Sequence, residues 1–461
     1  MGRKRRKNQI KFTFLVEDKG EAQRATGERV ELPMAKCKTE TSKQLPEKLM
    51  EEICERENLR RALKRVKKNK GSPGIDGMTV EELQGYLCEN WLAIRKELML
   101  GNYKTKPVKR VEIPKIGKGL RKLGIPCVLD RFVQQATLQV IQRYWDREFS
   151  ENSYGFRPKR SAHQAIAKAQ KYIEEGNRFV VDIDLEKFFD RVNHDKLMGL
   201  LAQRIKDNRV LKLIREFLNA GVMENGLVKP PSEEGTPQGG PLSPLLSNIV
   251  LDVLDCELER REHNFVRYAD DCNIYVKSRR AGKRVMANLT KFITRKLKLK
   301  VNGQKSAVAR PWKRKFLGFS FTQHVQPKRR LAHQSIERFK RKIRVITKRT
   351  KAKSIEDVIK ELSNYLHGWL GYYRFCQTQS ILHKMERWMR RRLRCYIWKG
   401  WKRGKTRFLE LRKRGVGKAL AAQTAGSACG VWRLSNSPAL NIAFPNSYFE
   451  ALKLPRLLVI T

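Results

Sequence analysis

Phe265-Val266-Arg267-Tyr268-Ala269-Asp270-Asp271-Cys272-Asn273-Ile274-Tyr275-Val276 consists of two short apolar runs that meet at a pair of carboxylates. Runs of this length and composition read as the arms of a β-hairpin, with Asp270 and Asp271 at its bend. Two ionised Asp side by side repel each other, so a turn between buried strands seldom chooses them unless a cation offsets the repulsion. Hard oxygen ligands of this kind suit Mg²⁺. An Asp pair in a turn is common on its own. The reading gains its force from a second acidic strand upstream.

That strand is Arg178-Phe179-Val180-Val181-Asp182-Ile183-Asp184-Leu185-Glu186-Lys187-Phe188-Phe189-Asp190. Successive strand side chains alternate faces, which puts Asp182 and Asp184 on one face and Val181, Ile183 and Leu185 on the other. A strand end and a hairpin that both deliver carboxylates make the constellation two-metal phosphoryl transfer needs. One ion lowers the pKa of an attacking 3′-hydroxyl and the other stabilises the leaving pyrophosphate, the two lying roughly 3.5–4 Å apart. The bland alternative is a solvated strand end plus a polar turn, and the two motifs together, in this order, argue against it.

Composition points the same way independently. The 461 residues carry 99 Lys+Arg against 47 Asp+Glu, a formal net charge of +52, with 40% hydrophobic residues. Such a chain can bury a full core, so the excess charge must decorate a folded surface. That surface calls for a polyanionic partner whose binding weakens steeply with salt. No long apolar span and no signal-peptide pattern support a membrane role. The nine cysteines are dispersed with no C-x-x-C pair, which fits a reducing cytoplasm and argues against a zinc ribbon.

The segments Asp182–Asp190 and Tyr268–Asp271 resemble motifs A and C of reverse transcriptases, and Glu234-Gly235-Thr236-Pro237-Gln238-Gly239-Gly240-Pro241-Leu242-Ser243-Pro244 resembles their motif B. From about Leu49 onward the chain is similar to the reverse transcriptase/maturase proteins of bacterial group II introns. The likeness runs through Lys70–Gly77, Arg121-Lys122-Leu123-Gly124-Ile125-Pro126, Ser153-Tyr154-Gly155-Phe156-Arg157-Pro158, Asn302-Gly303-Gln304-Lys305-Ser306, Phe316-Leu317-Gly318-Phe319 and Gly368-Trp369-Leu370-Gly371-Tyr372-Tyr373. Many relatives carry a C-terminal nuclease domain with a His/Asn/Cys cluster, and no such cluster is expected here.

The resemblance implies roles for individual residues. Asp184, Asp270 and Asp271 would be the catalytic metal ligands for two Mg²⁺ ions acting with dNTP substrates. Asp184 has the family's spacing to Phe188 and Phe189, and Asp182 stays second choice. Phe189 would crowd a ribose 2′-hydroxyl and so select deoxynucleotides; core packing is the alternative for both Phe residues and holds for one of them. Lys115 and Arg121 in the fingers would reach the triphosphate, Arg121 through a bidentate fork. Gln238 and Gly239 would line the nucleotide and template turn, where Gly allows close backbone approach. Lys305 would stand near the pyrophosphate, and reads equally as a surface lysine.

Residues 1–45 read as a basic N-terminal extension with a strand over Lys11–Val16, and residues 46–328 as fingers and palm. A helix is expected from Pro46 to Lys68, stopped by Gly71, and a hairpin from Pro107 to Pro126 with its bend at Lys115–Gly119. Residues 329–400 read as an all-α thumb or maturase domain with helices over Ser335–Lys351, Ser354–Phe375 and His383–Lys399. Core packing is the reading for most aromatics there, and Arg390, Arg391 and Arg394 are expected to contact RNA. Residues 401–461 form a small basic region resembling a DNA-binding segment, with Arg412 and Lys413 as candidate contacts.

The expected fold is therefore α+β, a right-hand polymerase followed by an all-α thumb and a basic tail. The expected function is RNA-directed DNA synthesis together with binding and splicing of an intron RNA, which is later copied at a DNA target during retrohoming. The partners would be intron RNA, an RNA template with DNA primer, and target DNA. There would be no membrane partner, and nothing calls for an oligomer. The expected location is the bacterial cytoplasm, at the nucleoid. Two alternatives stay open: a reverse transcriptase detached from any intron and adopted for host repair or defence, and a splicing chaperone with a vestigial polymerase site.

Overall fold

A computed structural model describes residues 45–114, 120–224, 227–229, 235, 239–348 and 353–458. Residues 11–16, expected to form a strand, lie outside the described residues, as do Lys115 and Gln238. Helices α1 (Leu49–Ile53), α2 (Arg56–Asn69) and α3 (Leu83–Leu100) come first. The single helix expected from Pro46 to Lys68 is broken at Cys54 and Glu55. Asn58 Nδ2 donates to the Ile53 carbonyl at 2.9 Å and the Ala136 carbonyl at 3.1 Å. A side-chain donor thus satisfies a carbonyl at the end of α1 and lets the helix stop there. Helix α2 ends at Lys70, itself left-handed at φ 46°, one residue before the expected glycine.

Strands β1 (Val108–Pro114) and β2 (Leu120–Ile125) form the expected antiparallel fingers hairpin, with Lys109 opposite Ile125. Helices α4 (Val128–Trp145) and α5 (Ala162–Glu174), strand β3 (Phe179–Ile183) and helices α6 (His194–Ala202) and α7 (Asn208–Leu218) follow. Next come strands β4 (Val222–Glu224) and β5 (Leu227–Lys229), helix α8 (Ser243–Arg260), strands β6 (Asn264–Tyr268) and β7 (Asp271–Val276), helix α9 (Arg279–Phe292) and strand β8 (Ala307–Ala309). Two four-stranded sheets result, β2-β1-β4-β5 in the fingers and β6-β7-β3-β8 in the palm.

The palm sheet divides the apolar interior in two. Val181, Ile183 and Leu185 join the fingers-side core with Cys272 and Ile274, as the alternation in β3 predicts. Val180, Val266 and Tyr275 face the other way, into a core shared with α5 and the C-terminal helices. Asp182 of β3 shares that second face with Val180, and Asp184 follows just beyond the strand's end.

Beyond the palm lie strands β9 (Phe319–Phe321) and β10 (Arg329–Leu331) and helices α10 (His333–Ile346), α11 (Ile355–Tyr373) and α12 (Gln379–Gly400). Ser354 caps α11 by accepting from the Asp357 N–H. The aromatics of this region pack inward: Phe339 lies 4.8 Å from Trp369, which stacks on Tyr373 at 4.9 Å. Short helices α13 (Gly404–Lys413), α14 (Lys418–Ala425), α15 (Val431–Leu434), α16 (Pro438–Ala443) and α17 (Asn446–Ala451) complete the chain. One apolar core runs from Phe339 through Met389 and Trp398 to Phe444 and Phe449, continuous across residue 400. No helix among the described residues is long and apolar enough to cross a membrane.

Candidate active site

The bend of the palm hairpin is two residues long. Tyr268 pairs with Asp271, leaving Ala269 and Asp270 as the connection, and Ala269 has a positive φ of 56°. A non-glycine residue in that conformation costs about 1–2 kcal/mol and needs support from its surroundings. Part of the support comes from residues 152–155, which run beside β6. The Arg267 N–H donates to the Asn152 carbonyl, and the Tyr154 N–H donates to the Arg267 carbonyl, both at 2.9 Å. Gly155 then lies flat against the bend; a Cβ there would come within 2.2 Å of the Ala269 nitrogen.

Strand register brings the upstream carboxylate to this bend. Ile183 pairs with Cys272, so the next step of the ladder sets Asp184 across from Asp271. The two acidic residues of the strand have different surroundings. Arg314 donates to Asp182 Oδ2 from Nε at 2.8 Å and from Nη2 at 2.5 Å, and Nη2 also donates to the Lys305 carbonyl at 2.6 Å. Burial pushes the Asp182 carboxyl up, and Arg314 opposes that rise. Asp184 is held through its backbone instead: its N–H donates to Ser306 Oγ at 3.0 Å, and its carbonyl accepts from the Asn302 N–H at 2.8 Å. Its Oδ2 is buried with no hydrogen bond, and the Lys305 ammonium approaches it to 3.4 Å.

The carboxylates feel one another. Protein packed around Asp271 and the charges of Asp270, Asp182 and Asp184 push its carboxyl up to about 6, although its side chain stays open to solvent. Among the described residues no three acidic, His or Cys side chains already stand together at ligating geometry. The donor set nevertheless suits a hard divalent cation: carboxylate oxygens from separate elements, one of them buried and lacking a hydrogen bond. Asp184, Asp270 and Asp271 are the residues that would hold it.

A turn of 3₁₀ helix, Phe188–Asp190, follows the site and begins after Lys187 in the left-handed region. It separates the two phenylalanines. Phe188 is in the core at 3% exposure, and Phe189 is half-buried with its ring edge-on to Phe188 at 5.3 Å. Arg121 lies in β2 opposite Ile113. Gly239 has φ 137°, and a Cβ there would meet the Gly124 carbonyl of β2 at 2.3 Å. The glycine is required by the close approach of this turn to the fingers strand.

Arg390, Arg391 and Arg394, expected to contact RNA, are each engaged within the protein. Arg394 is 7% exposed; its Nε donates to the Phe444 carbonyl at 2.9 Å. Arg390 pairs with the buried Glu386 at 2.6 Å and with Glu450 at 3.1 Å, and Glu450 in turn pairs with Arg456. The Arg391 guanidinium lies 4.2 Å from the Trp432 ring centroid and donates to the Trp432 carbonyl. These three bind α12 to the C-terminal helices. Lys413 is exposed, and Arg412 is exposed with Nη1 on the Val416 carbonyl. Exposed cations that the sequence reading did not single out line α10: Arg338, Arg341 and Lys342.

Residues 113–321 match the family model described as reverse transcriptase (RNA-dependent DNA polymerase), and residues 336–415 match that of the group II intron maturase-specific domain. The chain thus carries a reverse transcriptase domain followed by a group II intron maturase-specific domain. Protein YkfC of Escherichia coli (strain K12) is 40% identical over 221 residues, 47% of this chain and 58% of that protein. The group II intron-encoded protein LtrA of Lactococcus lactis subsp. cremoris is 39% identical over 188 residues, 41% of this chain and 31% of LtrA. The putative COX1/OXI3 intron 2 protein of Saccharomyces cerevisiae is 34% identical over 230 residues, 49% of this chain and 26% of that protein. The chain thus spans from a quarter to just over half the length of these relatives. Asp184, Asp270 and Asp271 all lie within the reverse transcriptase match, and the family uses divalent metal ions. The maturase-specific match spans most of α10, all of α11 and α12, and α13.

Proposed function

We propose that this group II intron-type protein is an RNA-directed DNA polymerase that also binds its intron RNA, promotes splicing, and copies the RNA into DNA at a target site. The convergence of Asp184 with the Asp270–Asp271 bend carries the reading, supported by the two domain matches and the net charge of +52. Two Mg²⁺ ions, when bound, would activate the primer 3′-hydroxyl and stabilise the leaving pyrophosphate. Asp184, Asp270 and Asp271 would hold them. Lys305, beside Asp184, faces the leaving-group side and neutralises charge that develops there. Phe189, standing on the buried Phe188, crowds the sugar of the incoming nucleotide and favours dNTPs over rNTPs. The exposed cations of α10 grip the nucleic-acid backbone, and the protein works at the nucleoid in the bacterial cytoplasm.

The test is primer extension on an RNA template with dNTPs or rNTPs, run beside Mn²⁺ binding in the absence of nucleic acid. Extension with dNTPs and binding of Mn²⁺ are expected, and both should be lost in the variant Asp270→Asn with Asp271→Asn. Near-normal extension by that double variant would overturn the site. Sequencing the RNA that co-purifies from native cells tests the maturase part. One dominant structured intron is expected, and a heterogeneous pool would overturn that part in favour of a free-standing reverse transcriptase.

A further inference from the structure

Arg267 has 0% exposure, in the strand that leads into the catalytic bend. Its Nε donates to Asp255 Oδ1 at 2.7 Å and its Nη2 to Asp255 Oδ2 at 2.5 Å, a two-pronged pair with a carboxylate that is itself fully buried. The third nitrogen, Nη1, donates at 3.0 Å both to Asn248 Oδ1 and to the Ala269 carbonyl. Asn248 and Asp255 are seven residues apart on α8, two turns along one face, so a single straight helix presents both to the guanidinium. Asn248 then uses its Nδ2 to donate to the Gly155 carbonyl at 2.9 Å, on the segment packed against the bend.

Such a unit is a poor device for stability alone. Removing a guanidinium and a carboxylate from water offsets most of what their attraction returns, and apolar residues of similar volume serve a core as well or better. What apolar residues cannot do is hold a carbonyl in place. The planar, rigid fork of Arg267 ends on the carbonyl of Ala269, the residue with the unfavourable positive φ, immediately before Asp270. Asn248 grips both that fork and the Gly155 turn packed against the bend.

We propose that Arg267, Asp255 and Asn248 are positioning residues that fix the Ala269 peptide and so aim the Asp270 and Asp271 carboxylates for divalent-cation binding. The inference rests on the polymerase reading above and assigns the buried unit a role in cation affinity as well as in folding.

The test uses the full chain with Arg267→Lys and, separately, Asn248→Ala. Mn²⁺ binding is measured without nucleic acid, together with the Mg²⁺ dependence of primer extension, primer–template affinity and thermal melting. Each variant should bind Mn²⁺ about tenfold or more weakly and need correspondingly more Mg²⁺ for half-maximal extension, the scale seen when groups supporting metal ligands are removed. Primer–template affinity should stay unchanged. Folded variants with lower melting temperatures but wild-type Mn²⁺ affinity and Mg²⁺ dependence would overturn the proposal and leave the unit a purely structural one. Should Arg267→Lys fail to fold, Asn248→Ala decides by the same readouts, since it removes no charge and Ala suits a helix interior. A wild-type protein that neither binds Mn²⁺ nor extends primers would overturn the polymerase reading itself, which is a different failure.

Discussion

Arg314 closes on Asp182 with two donors to one carboxylate oxygen, at 2.8 and 2.5 Å, whereas Asp184, two residues further on, keeps a buried oxygen with no hydrogen bond. Asp182 lies in β3 and Asp184 one residue beyond its end. Arg314 thus gives Asp182 a two-pronged structural partner, whereas Asp184 faces only the Lys305 ammonium at 3.4 Å, which suits it to the metal role proposed above.

Asp184→Asn should therefore reduce primer extension at least about a hundredfold, beyond the range seen when only outer groups supporting a metal are removed. Asp182→Asn should leave extension within about tenfold of wild type and lower stability by about 1 kcal/mol, the scale of one lost charge-assisted hydrogen bond. Extension assays paired with thermal melts check both. Equal loss of activity in the two variants would remove the distinction.

The arginines of α12 and the cations of α10 should separate in a salt titration. Arg338, Arg341 and Lys342 replaced together by Ala should flatten the dependence of RNA affinity on log salt by roughly two to three, near one for each lost phosphate contact. Arg394→Ala should leave that slope unchanged and lower the melting temperature, because its guanidinium is spent on the Phe444 carbonyl. A reduced slope for Arg394→Ala would return it to the RNA interface.

Asp130 gives the fold a pH dependence. It lies in α4 at 3% exposure, accepting from the Tyr103 hydroxyl at 2.8 Å and the Lys106 N–H at 3.3 Å, and burial pushes its carboxyl up to about 6 from an ordinary 3.8. Between those values the folded state keeps a proton that the unfolded chain has lost. Stability should fall as pH rises from about 4 to about 6 and level off above. Asp130→Asn, which keeps an acceptor and carries no charge, should flatten that segment and raise stability at pH 7 by on the order of 1–2 kcal/mol. Chemical denaturation across pH 4–8 reads this directly, and an unchanged profile would assign the slope to other groups.

Gly155→Ala should damage the polymerase site from outside it. The added methyl meets the Ala269 nitrogen at 2.2 Å, backbone against backbone, so the bend carrying Asp270 must shift. Overpacking of this kind costs about 1–3 kcal/mol. Extension should fall more than RNA affinity, measured side by side, and an unaffected extension rate would mean that the bend tolerates displacement.

Much of this architecture is local and could be read from local sequence. The period-two alternation around Asp182 and Asp184, the apolar runs flanking Asp270 and Asp271, and the helical spacing of Met385, Met389, Leu393 and Tyr396 each predict an element and its buried face, and the burial follows them. What was missed has one cause. A helix was expected to continue through Cys54 because nothing nearby in sequence stops it, and the stop involves an Asn58 side chain that also bonds Ala136, 78 residues away. The intramolecular partners of Arg390 and Arg394, Glu450 and the Phe444 carbonyl, were not legible either, because they lie 50 to 60 residues later in the chain.

By itself, then, the sequence determined the palm hairpin and its neighbouring strand, the fingers hairpin and the three long helices after the palm, that acidic side chains come from the hairpin bend and the end of the neighbouring strand, and that a large positive charge covers the surface, since these depend on side-chain chemistry and short-range periodicity. Only the tertiary structure decided which carboxylate Arg314 engages, which arginines bond within the protein, and how the Ala269 bend is held. Each of those depends on partners from 12 to 132 residues away whose meeting is set by packing, and a buried charge takes its role from the group it meets.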